Sequence, residues 1–211
     1  SPAEREAFKR QYGMDLPQTF EDFEALSMEN FEKIAEFFTR PDQGLYGTVM
    51  QYSHEYDFLT MYLYPFMFSM GGEIWDPKEG RIYGVLNSVI NAKAMVWNKR
   101  MLEYQPPDAL NYGILENMET FAEGKVATAF QWAAVGLAMI TPENEENVIV
   151  VPPPGIKQRD GSLKRIYPMG GQPWVLNAFN DDAHMRVAID FLKWWYLPET
   201  QLEFAKGGGN P

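Results

Sequence analysis

The sequence predicts an α/β fold, with an α+β arrangement as the alternative. Helical segments place apolar side chains three or four positions apart, and short runs rich in β-branched, aromatic and other apolar residues at 45–52, 126–131 and 148–151 lie between them. Helices that alternate with strands are typical of both classes. The chain is 45% hydrophobic and 22% charged, which favours a folded core over disorder. Its 211 residues suit one large domain or two small ones.

The first part of the chain carries local signals for three helices. Ser1 is typical of a helix start, and Gly13 of a helix end. Thr19 followed by Asp22 resembles a capping box with Asp in place of Glu. Apolar residues at 31, 34, 35 and 38 then predict an amphipathic helix.

The middle of the chain holds the most apolar predicted helix. Residues 58–70 are apolar on nearly every side, so we expect this helix to be buried or to line a pocket. Asp57 is its candidate cap, and Pro65 is expected to bend or break it. A second long helix is predicted from the stripe Leu86, Val89, Ile90, Lys93, Ala94, Trp97, Met101 and Tyr104, of which only Lys93 is polar.

The last part of the chain alternates short elements with turns. Asp160-Gly161 predicts a β-hairpin, and residues 148–151 predict a short buried strand. Asn180 is expected to cap a helix, and Pro198 to start a last short one. The core stripe of the helix after Asn180 is predicted to be Ala188, Phe191, Leu192 and Trp195.

Composition excludes several classes of function. The net charge of −11 argues against nucleic acid as a partner, because nucleic-acid binders concentrate Lys and Arg. No run of about 18 apolar residues predicts a membrane span, and the first residues do not read as a signal peptide. The absence of cysteine excludes disulfides and thiol chemistry, and two histidines make a multi-histidine metal site a poor expectation. We therefore predict no metal and no cofactor.

Several motifs follow one another in a characteristic order. Residues 64–76 read as a buried helix that ends in Gly-Gly and a short acidic loop, and residues 121–132 carry an F-x-x-G-K-x-A run into a strand. Residues 151–155 are a Pro-rich stretch, residues 170–174 carry Gly-Gly, and residues 16–23 resemble a P-x-T-W-x-E-F motif. In this order, the chain resembles the family 1 extracellular solute-binding proteins of bacterial ABC sugar importers, the superfamily that includes the maltose-binding proteins.

The resemblance implies an incomplete chain, because members of that family are about twice as long. Two substitutions depart from its motifs: Thr128 stands where Met is usual, and Phe20 stands where Trp is usual. The implied fold is a lobe of the type II periplasmic-binding-protein class, with a mixed sheet flanked by helices. Residues 1–168 would form most of the second lobe, and residues 169–211 the crossover and the helices that return toward the first lobe. The implied location is periplasmic or extracellular, with a lipid anchor possible in the part that precedes this chain.

The resemblance also indicates where a ligand would bind. Sugars present apolar C–H faces that stack on aromatic rings and hydroxyls that need directional partners. The candidate ligand-binding residues are Trp132, Tyr64, Asp57, Gly170, Gly171, Gln172 and Trp174. Each has a plainer interpretation: core packing for Trp132 and Tyr64, helix capping for Asp57, and a hinge or bulge for the two glycines. Gln172 and Trp174 are candidates because they adjoin those glycines.

The implied mechanism is binding without chemistry. Two lobes would close over a sugar or oligosaccharide and present it to the permease subunits of an ABC transporter. Two alternatives stay open from the residues alone: a fragment of a carbohydrate-active hydrolase, which needs a pair of carboxyl groups, and a non-catalytic acidic interaction domain. We also expect the truncated chain to form a dimer or a domain swap through surfaces that the missing segments would cover.

Overall fold

The computed structural model of the protein describes residues 1–56, 58–167 and 173–209. Contacts divide the chain into two compact units, Ser1–Pro168 and Met169–Pro211. The assignment of the first unit to a second lobe and of the other to a crossover stays a prediction. The first unit holds α1 (Pro2–Tyr12), α2 (Phe20–Glu24), α3 (Met28–Phe38), α4 (Thr60–Ser69), α5 (Val89–Met101), α6 (Ile114–Ala122), α7 (Ala133–Ala138), β1 (Ile156–Lys157) and β2 (Leu163–Lys164). The second holds α8 (Asp182–Trp195) and α9 (Pro198–Lys206).

The predicted helix ends of the first part of the chain are confirmed. Ser1 Oγ accepts a hydrogen bond from the backbone N–H of Glu4 at 3.3 Å, and Gly13 ends α1 at φ 69°. Thr19 Oγ1 accepts from the N–H of Asp22 at 3.2 Å, while Asp22 Oδ2 accepts from the N–H of Thr19 at 3.0 Å. This reciprocal pair is a capping box, and Asp is long enough to complete it.

Two segments predicted as strands lie side by side as an extended layer in the first unit, but neither forms a regular strand. Residues 45–52 and 126–131 run parallel, with isolated bridges between Tyr46 and Val126 and between Val49 and Ala129. On the other side of residues 45–52, the N–H groups of residues 47 and 48 both donate to the carbonyl of Tyr104, which ends a short 3₁₀ turn after α5.

Helix α4 packs in the core and continues through Pro65. It begins at Thr60, with Leu59 before it and no side-chain cap, and Asp57 lies outside the described residues. Pro65 is expected from the sequence to bend or break the helix; it does not break it, since Thr60–Ser69 is one element, and a bend stays a prediction. Because this helix is apolar all round, it buries side chains such as Tyr62, Phe66 and Met67. Neighbouring core residues are Phe8, Phe31, Ile34, Met50, Tyr52, Trp97 and Met101.

The buried face of α5 is rotated from the predicted stripe. Ala94, Trp97 and Met101 are buried as expected, but Leu86, Val89 and Ile90 are exposed. In the first turn the buried position belongs to a polar residue, Asn91. Its Nδ2 donates to the carbonyl oxygens of residues 73, 85 and 86 at 2.7, 3.2 and 2.9 Å, respectively, so the helix start holds the preceding loop instead of the core.

The hairpin prediction is confirmed and the strand prediction before it is wrong. β1 pairs antiparallel with β2 across the turn at Asp160-Gly161. Residues 148–151 form no strand, and Ile149 and Val150 are exposed. A run of apolar residues predicts burial only when another layer covers it, and within the first unit no described segment pairs with this run.

In the second unit, two helices pack through aromatic rings. α8 is capped by Asp181, whose Oδ1 accepts from the N–H of His184 at 2.9 Å, so the prediction of Asn180 as the cap is wrong by one residue. The predicted core stripe is only half-buried at residues 188, 192 and 195, and Phe191 is exposed. Two helices form too few layers to enclose a core. The predicted helix that starts at Pro198 is confirmed as α9.

Candidate functional site

A cavity of about 530 Å³ opens in the first unit at the end of the extended layer. Its walls come from α4, from the segment that joins the extended layer to α7, and from the Pro-rich stretch with the residues after β2. The apolar lining consists of Phe20, Met61, Tyr62, Pro65, Phe66, Phe130, Trp132, Ala133, Val150, Val151, Pro152, Pro153, Pro154, Ile166 and Tyr167. The described polar members are Ser69, Gln131 and Arg165. A mostly apolar cleft with a few placed polar groups is typical of small-molecule sites.

Trp132 forms part of this lining at the point where the chain leaves the extended layer. It is the residue before α7, and its side chain is half-buried. Its ring meets the ring of Phe58 edge-on at 6.4 Å between centroids. A half-buried aromatic ring in a cavity lining presents apolar surface that a ligand can contact.

A series of hydrogen-bonded amides leads from the backbone of Trp132 into the core, where Gln51 and Asn117 are buried. Gln131 Oε1 accepts from the backbone N–H of Trp132 at 3.0 Å and from Gln51 Nε2 at 2.9 Å. Gln131 Nε2 donates to Asn117 Oδ1 at 3.3 Å. Asn117 Nδ2 in turn donates to the carbonyls of Val49 and Phe130 at 3.3 and 3.2 Å. These amides join the two extended segments where their backbone pairing ends.

Helix α4 contributes a hydroxyl to the same place. Tyr62 Oη donates to the carbonyl of Phe130 at 2.6 Å, and burial raises the pKa of this phenol far above its ordinary value. The hydroxyl therefore stays protonated and acts as a donor. Phe130 is thus held through its carbonyl by two side chains, Tyr62 and Asn117, directly before the residues that line the cavity.

The opposite wall is tied together by Arg165. Its Nε donates to the carbonyl of Pro153 at 2.9 Å, and its Nη2 contacts the carbonyls of Glu24 and Leu26. Ser69 Oγ accepts from the backbone N–H of Ile166 at 2.8 Å, which links this wall to α4. The guanidinium is bonded to carbonyl oxygens and is half-buried, so it brings positive charge to the cavity wall.

The structure separates the predicted ligand-binding residues. Trp132 lines the cavity, whereas Tyr64 lies outside its lining and packs on Phe68 at 5.7 Å between ring centroids. Trp174 belongs to the second unit, where its ring contacts Phe191 and Trp195. The remaining candidates, Asp57, Gly170, Gly171 and Gln172, lie outside the described residues. The role of each as a ligand-binding residue stays a prediction.

Sequence reasoning missed several residues of the lining. On α4 they are Met61, Tyr62, Pro65, Phe66 and Ser69, which fall on one helical face by their spacing. The spacing can be read from the sequence. Because the helix is apolar on every side, however, no polar face indicates which side lines the cavity. Arg165 and Tyr167 carry no local signal because the fold alone brings them to α4.

The described ranges hold neither a membrane-spanning helix nor a cluster of metal-ligating side chains. None of their helices combines the length and apolar character that crossing a bilayer requires. Among the same residues, no three His, Cys, Asp or Glu side chains gather where they could hold a metal ion.

Comparison with solved structures shows the fold to which this chain belongs. The chain is similar to a solute-binding protein of an ABC transporter from Agrobacterium radiobacter K84 in complex with ribitol, at 24% identity and a TM-score of 0.72, over 97% of this chain and 48% of that one. It is similar to maltose-bound MalE3 of T. maritima at 21% identity and a TM-score of 0.70, over 98% and 50%. A solute-binding protein from Agrobacterium vitis S4 with bound D-mannitol matches at 16% identity and a TM-score of 0.63, over 97% and 46%.

These likenesses show the α/β fold of the type II periplasmic binding proteins, which confirms the predicted class. The chain spans about half the length of these structures. The sequence signature of the bacterial extracellular solute-binding proteins matches residues 5–202, and the chain belongs to that family. The resemblance seen in the motifs is therefore confirmed. No similar sequence was found among the curated proteins.

Proposed function

We propose that this protein binds a sugar or a polyol in the cavity beside Trp132, as part of the substrate-binding component of an ABC importer. The observation that carries the proposal is the position of Trp132. In a chain of the extracellular solute-binding family, a half-buried indole lies at the end of the extended layer and lines a cavity of about 530 Å³.

The lining matches the chemistry of such a ligand. Aromatic rings and prolines present flat apolar faces for C–H groups, and they make up most of the wall. Gln131 Nε2 and Arg165 Nη1 keep N–H groups that can donate to hydroxyl oxygens, whereas Gln131 Oε1 is already bonded twice within the protein. The polar groups of the described lining are hydroxyls, an amide and a guanidinium, which bind hydroxyls and do not provide the two carboxyl groups of a glycosidase.

The ligands of the similar proteins support this substrate class. Those proteins hold ribitol, maltose and D-mannitol, which share a dense array of hydroxyls. By extension, the whole protein would close two lobes over its ligand and deliver it to permease subunits, without catalysis. We propose as well that the whole protein is periplasmic or extracellular and carries a lipid anchor. This chain is proposed to form a dimer or a domain swap.

Calorimetric titration of the 211-residue chain with ribitol, D-mannitol and maltose tests the function. Saturable binding of at least one of them is expected, with a negative heat-capacity change from burial of apolar surface. Failure of all three, and of longer oligosaccharides, would contradict the proposal for this chain. Product analysis after incubation with oligosaccharides distinguishes the alternative, since any turnover would favour a hydrolase. Light scattering of the same sample tests the dimer, which a monodisperse monomer would contradict.

A further inference from the structure

The side-chain amides of Gln51, Gln131 and Asn117 form a hydrogen-bonded ladder that the sequence did not predict. It runs from Gln51 through Gln131 to Asn117, with distances of 2.9 and 3.3 Å between the bonded atoms. Gln51 and Asn117 are fully buried, at 0% exposure, and neither lines the cavity. A ligand in the cavity would therefore meet Trp132 and Gln131 but not the outer members of the ladder.

The ladder replaces backbone pairing at the place where the two extended segments part. The last parallel backbone bond of this layer in the described chain runs from the N–H of Phe130 to the carbonyl of Val49 at 3.0 Å. Asn117 Nδ2 then bonds the carbonyls of the same two residues, and the Gln131 side chain takes the N–H of Trp132. Trp132 is the residue before α7, and its side chain makes no capping hydrogen bond to that helix. Its backbone turns out of the extended layer at φ −59° and ψ 142°. The Gln131 side chain is thus one of the groups that fix the backbone at Trp132.

The hydrogen bonds of Gln51 do not explain its presence by stability alone. Among the described residues its Nε2 bonds only Gln131, and its Oε1 is buried without a partner. A buried amide oxygen without a hydrogen bond destabilises the folded state, and the one hydrogen bond that Gln51 makes does not offset that cost. An apolar side chain of equal length would avoid that penalty. What the amide adds is a fixed orientation for the Gln131 side chain.

We propose that Gln51 and Asn117 are positioning residues for the ligand site, acting through Gln131 to hold the Trp132 ring at the cavity wall. The inference rests on the proposed function for its ligand and on the ladder for its geometry. Gln51 holds Gln131 Oε1 in place for the N–H of Trp132, and Asn117 holds the other end of the same amide. Without either, the Gln131 amide loses one of the bonds that fix it, and the N–H of Trp132 loses a fixed acceptor.

The test uses Gln51→Met, which preserves the length of the side chain and removes its donor. The six tryptophans are labelled as 5-fluorotryptophan, and the Trp132 resonance is assigned with Trp132→Phe. In the ligand-free chain, Gln51→Met is expected to shift or broaden the Trp132 resonance with little loss of stability, because the substitution also removes an unpartnered acceptor. Affinity for whichever of ribitol, D-mannitol or maltose binds the parent chain is expected to fall about tenfold, the worth of roughly one hydrogen bond.

Gln105→Met is the matched control. Gln105 is also a buried glutamine of the first unit, but its Oε1 accepts from the N–H of Met50 at 2.7 Å and its Nε2 donates to the carbonyl of Met101 at 3.1 Å. This variant is expected to lose stability and to leave the Trp132 resonance in place. If Gln51→Met does not fold, Asn117→Leu breaks the ladder from the other end and is read in the same way.

The outcomes separate the two proposals. An unchanged Trp132 resonance in Gln51→Met, or a shifted resonance with unchanged affinity, would overturn the positioning role. If the parent chain binds none of the three compounds, the proposed function fails, while the ligand-free resonance still decides whether Gln51 orients the ring.

Discussion

Truncation of Trp132 to alanine separates a ligand platform from a core residue. The side chain is half-buried, and its one described ring partner is Phe58 at 6.4 Å. An aromatic pair adds about 0.5–1.5 kcal/mol beyond burial, and full burial of a Trp makes its truncation cost about 3–5 kcal/mol. For a half-buried ring beside an existing cavity, we expect Trp132→Ala to lower the free energy of unfolding by about 1–2 kcal/mol.

The same substitution is expected to weaken ligand binding more than it weakens the fold. A central aromatic contact in a binding site is worth about 2 kcal/mol or more, which corresponds to an affinity loss of roughly 30-fold. Urea denaturation gives the stability, and calorimetric titration with the best-binding sugar or polyol gives the affinity.

Two other tryptophans provide controls for Trp132→Ala. Trp97 is 5% exposed and packs on Phe66 at 4.6 Å between ring centroids, so Trp97→Ala is expected to cost about 3–5 kcal/mol of stability. Trp75 is 52% exposed and outside the cavity lining, so Trp75→Ala is expected to change neither quantity. If Trp132→Ala loses as much stability as Trp97→Ala and keeps its affinity, then Trp132 is a core residue and the reasoning is refuted.

Three further predictions concern the scaffold. Burial raises the pKa of Tyr52 from 10.0 to about 12, so the stability that its neutral form contributes is complete below pH 10 and is lost as the pH rises toward 12. Tyr52→Phe should therefore lose less stability than the parent chain between pH 9.5 and pH 11.5 in urea denaturation, with a difference of at most about 2–3 kcal/mol. An equal loss of stability in both proteins would contradict this prediction. In Gly47→Ala the new Cβ would overlap the backbone of Ala35, so thermal denaturation should show a loss of about 3 kcal/mol or more, and a near-neutral variant would refute the packing described. Asn91→Leu removes three hydrogen bonds to backbone carbonyls, so limited proteolysis within residues 73–86 should accelerate with a stability loss of about 2–3 kcal/mol, whereas an unchanged cleavage rate would show that other contacts hold this loop.

Local chemistry explains which elements were predictable. The capping box of Thr19 and Asp22, the turn at Asp160-Gly161 and the end of α1 at Gly13 depend on bonds within a few residues, and all three are confirmed. The sequence predicts the cap of α8 one residue too early, at Asn180, because Asn180 and Asp181 are both good capping residues. The residue at which the backbone turns helical decides between them, and that residue follows Asp181.

Long-range packing explains the errors. Residues 148–151 are apolar, but no described segment of the first unit pairs with them, so a run that predicts a buried strand is half-buried at its ends and exposed at Ile149 and Val150. In α5 the buried face turns on Asn91, whose amide holds a loop that periodicity does not include. On α4 the sequence singled out Tyr64, and the cavity is lined by Tyr62, which lies two residues away and on another side of the helix.

The sequence by itself determined the family, the order of the helices and the aromatic residue that follows the extended layer, because motif order and local hydrogen bonding are properties of neighbouring residues. Only the tertiary structure decided which face of α4 meets Trp132, that Arg165 ties the opposite wall, and that Gln51 and Asn117 lie behind the ring. Those residues are separated by 15 or more positions from Trp132 along the chain, and packing and hydrogen bonds through the folded core are what bring them together.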